Sequence, residues 1–373
     1  MRYLLTNCTV YTGTAVLPDY AVLVDNETIE AVLPAAGAPA DVPRHDGGGL
    51  NLCPGFIDLQ LYGGGGHLFS VEPTAAALAS LRAHTLRHGT TSFLPTMPTN
   101  APEMMRAALA AVRAAQPTTP GLLGLHLEGP YINPIKKGAH REEFIRVPEP
   151  AALAELLAFG AGVLRIMTLA PEVATPGALA QLRAADVVCS AGHSNATYAE
   201  SMAAFRQGFG AATHLFNAMS GLQSRAPGLL GAIYDDAAVA ASVIADGVHA
   251  DFAAVRISKK IMGERLFLIT DAVEESAHGA YQFHRQGDHF VDAQGILAGS
   301  ALTLMTAVRN CVRHVGIALP EALRMASLYP ARALRLDNHL GLLQPGYRAD
   351  MCLFDHDFNV QATVLHGTLR RWE

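Results

Sequence analysis

Gly124-Leu125-His126-Leu127-Glu128-Gly129-Pro130-Tyr131 is an apolar run that ends in a carboxylate and is then broken by Gly-Pro. Read as a strand, it delivers Glu128 to a carboxyl end, where α/β proteins keep their chemistry. Three later stretches repeat the design. Val187-Val188-Cys189-Ser190 leads to His193, Gly210-Ala211-Ala212-Thr213 to His214, and Leu266-Phe267-Leu268-Ile269-Thr270 to Asp271. One Glu, two His and one Asp, each closing a short apolar run, are what a hydrolytic metal site requires.

Working outward, apolar runs recur near 57–61, 91–95, 122–127, 163–169, 186–190, 210–214, 239–245 and 265–270. Ala- and Leu-rich helical stretches lie between them at 74–88, 101–115, 149–159, 176–185, 197–208 and 251–262. Eight strands separated by helices are the count of a closed parallel (β/α)8 TIM-type barrel, placed here over 53–336. Residues 275–298 break the alternation as a hairpin excursion built on 281–283 and 289–291, and helices follow at 301–315 and 320–335. The first 50 residues read as short strands, with Gly47-Gly48-Gly49 as a joint before the barrel. The tail is again β-like. Both ends together, 1–52 and 337–373, are expected to form one small β domain.

Composition narrows the function. The chain is 50% hydrophobic with a formal charge of −6, and its four lysines fall in two pairs, so no basic face for nucleic acid is expected. No run approaches the ~20 apolar residues of a membrane helix, and the N-terminus lacks a signal-peptide core. Five scattered cysteines without a CxxC imply reduced thiols and a soluble cytoplasmic protein.

Glu128, His193 and His214 are the proposed ligands of one divalent metal, zinc by ligand type, with iron or manganese also served. Any one of the sixteen histidines is as easily a surface or packed residue; what carries weight is their succession at strand ends. Asp271 would be the general base, with a helix N-cap as the structural alternative. Asp58, Gln60 and Tyr62 alternate onto one face of the first strand, to reach the metal region or to satisfy one another. His140 and His249 sit in loops on the same side. Arg225 is a candidate for an anionic substrate group, against the alternative of a solvated surface arginine. Gly63-Gly64-Gly65-Gly66 lacks the Lys-Ser/Thr of a phosphate loop, and neither Gly-x-Ser-x-Gly nor His-Glu-x-x-His occurs.

Taken together, Pro54-Gly55-Phe56-Ile57-Asp58, Leu125-His126-Leu127-Glu128-Gly129-Pro130, Lys137-Gly138-Ala139-His140, Ala191-Gly192-His193-Ser194, Thr213-His214-Leu215-Phe216-Asn217-Ala218-Met219, Ile244-Ala245-Asp246-Gly247-Val248-His249 and Thr270-Asp271-Ala272 resemble the amidohydrolase superfamily, and within it the N-acetylglucosamine-6-phosphate deacetylases. Gly346-Tyr347-Arg348-Ala349-Asp350 resembles the superfamily's closing signature. The resemblance implies a distorted barrel with a small β-sandwich. It implies hydrolysis of N-acetylglucosamine 6-phosphate to glucosamine 6-phosphate and acetate by a homodimer. By the same resemblance Glu128, His193 and His214 hold the metal (zinc, with iron, manganese or cobalt as alternatives), and Asp271 is the acid/base. His140 polarises the amide carbonyl. Asn217, the Ala218 backbone, His249 and, from a neighbouring subunit, Arg225 contact the sugar phosphate. Gln60-Leu61-Tyr62 stands where many amidohydrolases carry a His-x-His for a second metal, which implies a single ion per chain. Three alternatives remain: the galacto-configured substrate, another amidohydrolase reaction such as a deamination, and a catalytically silent sugar-binding relative.

Overall fold

The computed structural model describes residues 1–372. Its parallel sheet runs through eight strands in order: Phe56–Leu61, Thr90–Pro98, Leu125–Glu128, Leu164–Leu169, Val188–Ala191, Phe209–Ala212, Ala240–Val243 and Leu266–Leu268. A backbone bridge from Leu61 to Ala272 brings the first strand beside the segment leaving the eighth, so the barrel is nearly closed. Every residue of the third, fifth and eighth strands is buried. Buried on both faces, a parallel strand reads as a continuous apolar run rather than an alternation, which is why these runs are legible in the sequence.

A separate seven-stranded sheet is built from both ends of the chain, from Arg2–Tyr11, Val16–Asp25, Thr28–Pro34 and Arg44–Pro54 together with Met351–Phe354, Val360–Leu365 and Thr368–Arg371. It is apolar on both faces. Tyr3, Leu5, Val22, Val24, Leu52 and Met351 pack on one side, Leu4, Ala21, Leu23 and Val42 on the other. By internal contacts the chain forms two compact units, Met1–Asp58 with Arg82–Ser92 and Thr303–Glu373, and Leu59–Leu81 with Phe93–Leu302.

Three local expectations are corrected. Gly47-Gly48-Gly49 is not a joint between domains but a bulge inside Arg44–Pro54, where the register against the first strand of the chain steps from Thr6↔Asp46 to Cys8↔Leu50. Glycine is required there, because a Cβ on Gly47 would come within 2.0 Å of Cys8 Sγ. The helix at Gly228–Asp235 is not among the expected ones; its segment Gly-Leu-Leu-Gly-Ala-Ile is buried all round and so shows no amphipathic period. The excursion after the eighth strand has three strands, His284–Gln286, His289–Val291 and Leu297–Ser300. Tyr281 and Phe283 precede it and pack against Tyr62, Leu68, Val273 and Phe290. Among the described residues no helix is long and apolar enough to cross a membrane.

Candidate active site

The carboxyl ends of the barrel strands surround a cavity of about 330 Å³ lined by Tyr62, Glu128, His140, His193, His214, Asn217, Ala218, His249 and Asp271. Glu128 ends the third strand and is the hub. Its Oε1 lies 2.9 Å from His214 Nε2 and 3.1 Å from His193 Nε2, and the two imidazole nitrogens are 3.1 Å apart. Its Oε2 accepts from Tyr62 Oη and lies 3.0 Å from His140 Nε2. Burial pushes the Glu128 carboxyl up, but His193 and His140 beside it outweigh burial and hold it well below the usual carboxylate range.

Hydrogen bonding separates the three imidazoles. His193 Nδ1 lies 2.8 Å from the Lys136 carbonyl oxygen, which can only accept, so Nδ1 carries the proton and Nε2 presents a lone pair. His140 is the reverse. Its Nδ1 accepts from the Thr99 N–H at 3.2 Å, so Nε2 is the donor toward Glu128. His214 turns Nε2 toward Glu128 and His193, while its Nδ1 is buried with no hydrogen-bond partner among the described residues. Burial lowers the pKa of His140 and of His214 below the ordinary imidazole value. One carboxylate oxygen and the Nε2 atoms of His193 and His214, all within 3.1 Å of one another, are donors that suit a divalent ion. The ligand atoms of Glu128, His140 and His193 also lie within 4.8 Å of one another, but the donor proton on His140 Nε2 sets that residue apart.

The backbone at these positions is unusual. His193, His214 and Asp271 have φ of +47°, +35° and +53°, and Ala218 has +47°. Left-handed conformations in non-glycine residues cost on the order of 1–3 kcal/mol each and cluster at functional sites. His193, His214 and Asp271 stand within three residues of a strand's end, and their side chains line the cavity. His214 is held by its N–H to Ser242 Oγ at 2.8 Å. Asp271 is held by its N–H to the Gln60 carbonyl at 2.9 Å and by its own carbonyl, which accepts from the Ser300 N–H at 2.9 Å. The N-cap alternative for Asp271 is not realised, since no helix begins there.

Asp58, Gln60 and Tyr62 are all buried. Gln60 and Tyr62 both satisfy one another and reach the site, with Gln60 Nε2 at 2.8 Å from Tyr62 Oη. His249 lines the cavity, its Nδ1 2.6 Å from Asp246 Oδ2. Burial raises the Asp246 carboxyl, but hydrogen bonds from His249 and from two backbone N–H groups bring it below its usual value. Arg225 is not brought in: it is exposed in the 220–227 loop and does not line its own chain's cavity, and Asp58, though buried, does not line the cavity either.

Sequence reading missed four supporting residues. Thr99, just past the second strand, donates through Oγ1 to the Glu128 carbonyl and through N–H to His140. Tyr281 donates to the Thr99 carbonyl. Glu172 accepts from Asn133, Ser194 and the Asn195 N–H, tying the loop after His193 to the loop leading to His140. Asp246 is the fourth. Thr99 shares the strand-end signal that reveals Glu128, but a threonine there reads as ordinary strand composition. Gly129 meets Thr99 as well; with φ +92° and a would-be Cβ 2.0 Å from Thr99 Oγ1, no other residue fits.

A barrel with Glu, His, His and Asp at its third, fifth, sixth and eighth strand ends is of the amidohydrolase class, and the chain belongs to that family: its sequence model matches residues 51–370, and the composite-domain model named for NagA matches residues 2–52. Within it the chain belongs to the N-acetylglucosamine-6-phosphate deacetylase family. It is 39% identical to the N-acetylglucosamine-6-phosphate deacetylase of Haemophilus influenzae, over 98% of this chain and 99% of the relative. It is 36% identical to an N-acetylgalactosamine-6-phosphate deacetylase of Escherichia coli O157:H7, over 99% of each. The crystal structure of the N-acetylglucosamine-6-phosphate deacetylase of Pasteurella multocida superimposes with a TM-score of 0.96, 36% identity and full coverage of both chains. A variant of the Mycobacterium smegmatis enzyme, solved in complex with N-acetyl-D-glucosamine-6-phosphate, does so with a TM-score of 0.89 at 34% identity, over 99% of each chain.

Proposed function

We propose that this chain hydrolyses the N-acetyl group of N-acetyl-D-glucosamine 6-phosphate, giving D-glucosamine 6-phosphate and acetate. The observation that carries the reading is the convergence on Glu128 Oε1 of the Nε2 atoms of His193 and His214, with Asp271 and His140 on the wall of the same cavity. Glu128, His193 and His214 would hold one divalent ion, zinc by donor type, with iron, manganese or cobalt as the alternatives. That ion supplies Lewis acidity and brings the pKa of water toward roughly 7. Asp271 takes the proton of the attacking water and passes it to the sugar nitrogen as the C–N bond breaks. His140, already a donor at Nε2, exchanges Glu128 for the amide carbonyl oxygen as negative charge develops on it, an effect worth a few kcal/mol. Asn217, the Ala218 backbone and His249 hold the sugar phosphate. Arg225, exposed and outside its own cavity, serves the site of a second copy in a homodimer. The chain then divides into the small β domain (1–52, 337–373) and the hydrolase barrel (53–336) of a cytoplasmic enzyme.

Relatives named for both the gluco and the galacto sugar match this chain at similar identity, so the test assays both phosphates. Acetate release with N-acetylglucosamine 6-phosphate preferred, and about one metal per active chain, is the expected result. Preference for the galacto sugar would reassign the substrate. A metal-loaded protein inactive on both would overturn the reading.

A further inference from the structure

Gln60 touches both carboxylates of the site. Its Nε2 lies 2.8 Å from Tyr62 Oη, 2.9 Å from Asp271 Oδ1 and 3.1 Å from Glu128 Oε1, and its main-chain carbonyl accepts the Asp271 N–H at 2.9 Å. The next face-sharing residue, Tyr62, donates its phenol to Glu128 Oε2 and its own N–H to the Ala272 carbonyl at 2.7 Å. The first strand therefore clasps the turn at Asp271–Ala272 by main chain and the two acidic groups by side chain. Gln60, Tyr62, Glu128 and Asp271 are all buried.

We propose that Gln60 and Tyr62 are positioning residues for the reaction, resting on the deacetylase reading above. An amide nitrogen has two hydrogens and no lone pair to offer. With three acceptors within 3.1 Å, it can give one hydrogen to Asp271 Oδ1 and share the other between Tyr62 Oη and the more distant Glu128 Oε1. Held at Oδ1 and by its own N–H, the Asp271 carboxylate has little freedom to rotate away from the cavity. Tyr62, with His140, occupies Glu128 Oε2 and so presents Oε1 to His193 and His214. Gln60 aims the acid/base; Tyr62 aims the ligand. Neither needs to touch substrate.

The two roles separate by experiment. Gln60→Leu keeps the approximate size and removes the donor. It should lower kcat about 100-fold, the usual cost of ångström-scale misplacement, with KM within about threefold and metal content still one per chain. Tyr62→Phe should weaken metal affinity about 10- to 100-fold in chelator competition, the range for lost outer hydrogen bonds, and shift the absorption bands of the cobalt-substituted protein. Gln60→Met keeps the approximate volume with neither a donor nor a charge and serves if Gln60→Leu does not fold; it should also lose kcat. The proposal is overturned if folded Gln60 variants keep wild-type kcat, or if Tyr62→Phe keeps both metal affinity and cobalt spectrum. Wild-type inactivity on both sugar phosphates would instead sink the functional reading, while the cobalt measurement on Tyr62→Phe would still decide the geometric one.

Discussion

The barrel mouth and the terminal sheet are both well buried, yet they are built on opposite terms. The sheet joins apolar side chains across strands whose polar groups pair along the ladder, and its cores contain residues such as Leu52, Val22 and Leu4. The barrel mouth buries Gln60, Glu128, His140, His193, His214 and Asp271, and holds four of the site residues, Ala218 among them, at positive φ. Burying polar groups is costly unless each is partnered. A region that does so at a ring of strand ends gives up stability for chemistry; the sheet has no such obligation. Substitutions in the two regions should therefore be read out differently.

The largest effect is expected from Glu128→Gln. Loss of the hub carboxylate should leave well under one metal per chain by elemental analysis and remove activity. A fully metallated Glu128→Gln variant with near-normal turnover would erase the contrast at its centre. Asp271→Asn comes next. It should lower kcat by roughly 10²–10⁴ while metal content and thermal midpoint stay near wild type, since no helix depends on it as a cap. In the terminal sheet, Leu52→Ala should cost about 2–5 kcal/mol of stability in denaturant titration, with kcat of the folded fraction close to that of the parent chain.

The smallest effect sharpens the comparison by pH. His126 lies inside the barrel, Nδ1 at 3.0 Å from the Leu59 carbonyl and Nε2 at 2.7 Å from Thr168 Oγ1. Burial brings its pKa down from 6.5 to about 4. The unfolded chain protonates this imidazole below pH ~6.5 and the folded chain does not. Stability is thus intact above that pH and falls between about 6.5 and 4, by up to about 3 kcal/mol. Denaturant titrations across this window should show the slope, and His126→Gln should flatten it by about one proton.

Much of this site is legible in the sequence because the barrel writes its chemistry in one place. A strand buried on both faces is an apolar run, and the first polar residues after it stand at the mouth; Glu128, His193, His214 and Asp271 all follow that rule. Residues that act through others are less visible. Thr99 has no titratable group, Glu172 and Asp246 read as loop acids, and Tyr281 lies in an insertion whose strands begin three residues later than expected, at His284. Gly47-Gly48-Gly49 reads as a linker because a bulge and a joint use the same residues, and only pairing with Cys8 distinguishes them.

By itself the sequence determined the barrel, the strand-built ends and the residue types at each strand end, because period and burial leave a local imprint. Only the tertiary structure decided which imidazole nitrogen is bare and which carries a proton, since that rests on the Lys136 carbonyl and the Thr99 N–H. It also decided that Gln60 and Tyr62 reach Glu128, 68 and 66 residues away in the chain. Partners at such separation are fixed by closure of the barrel, which no stretch of sequence contains.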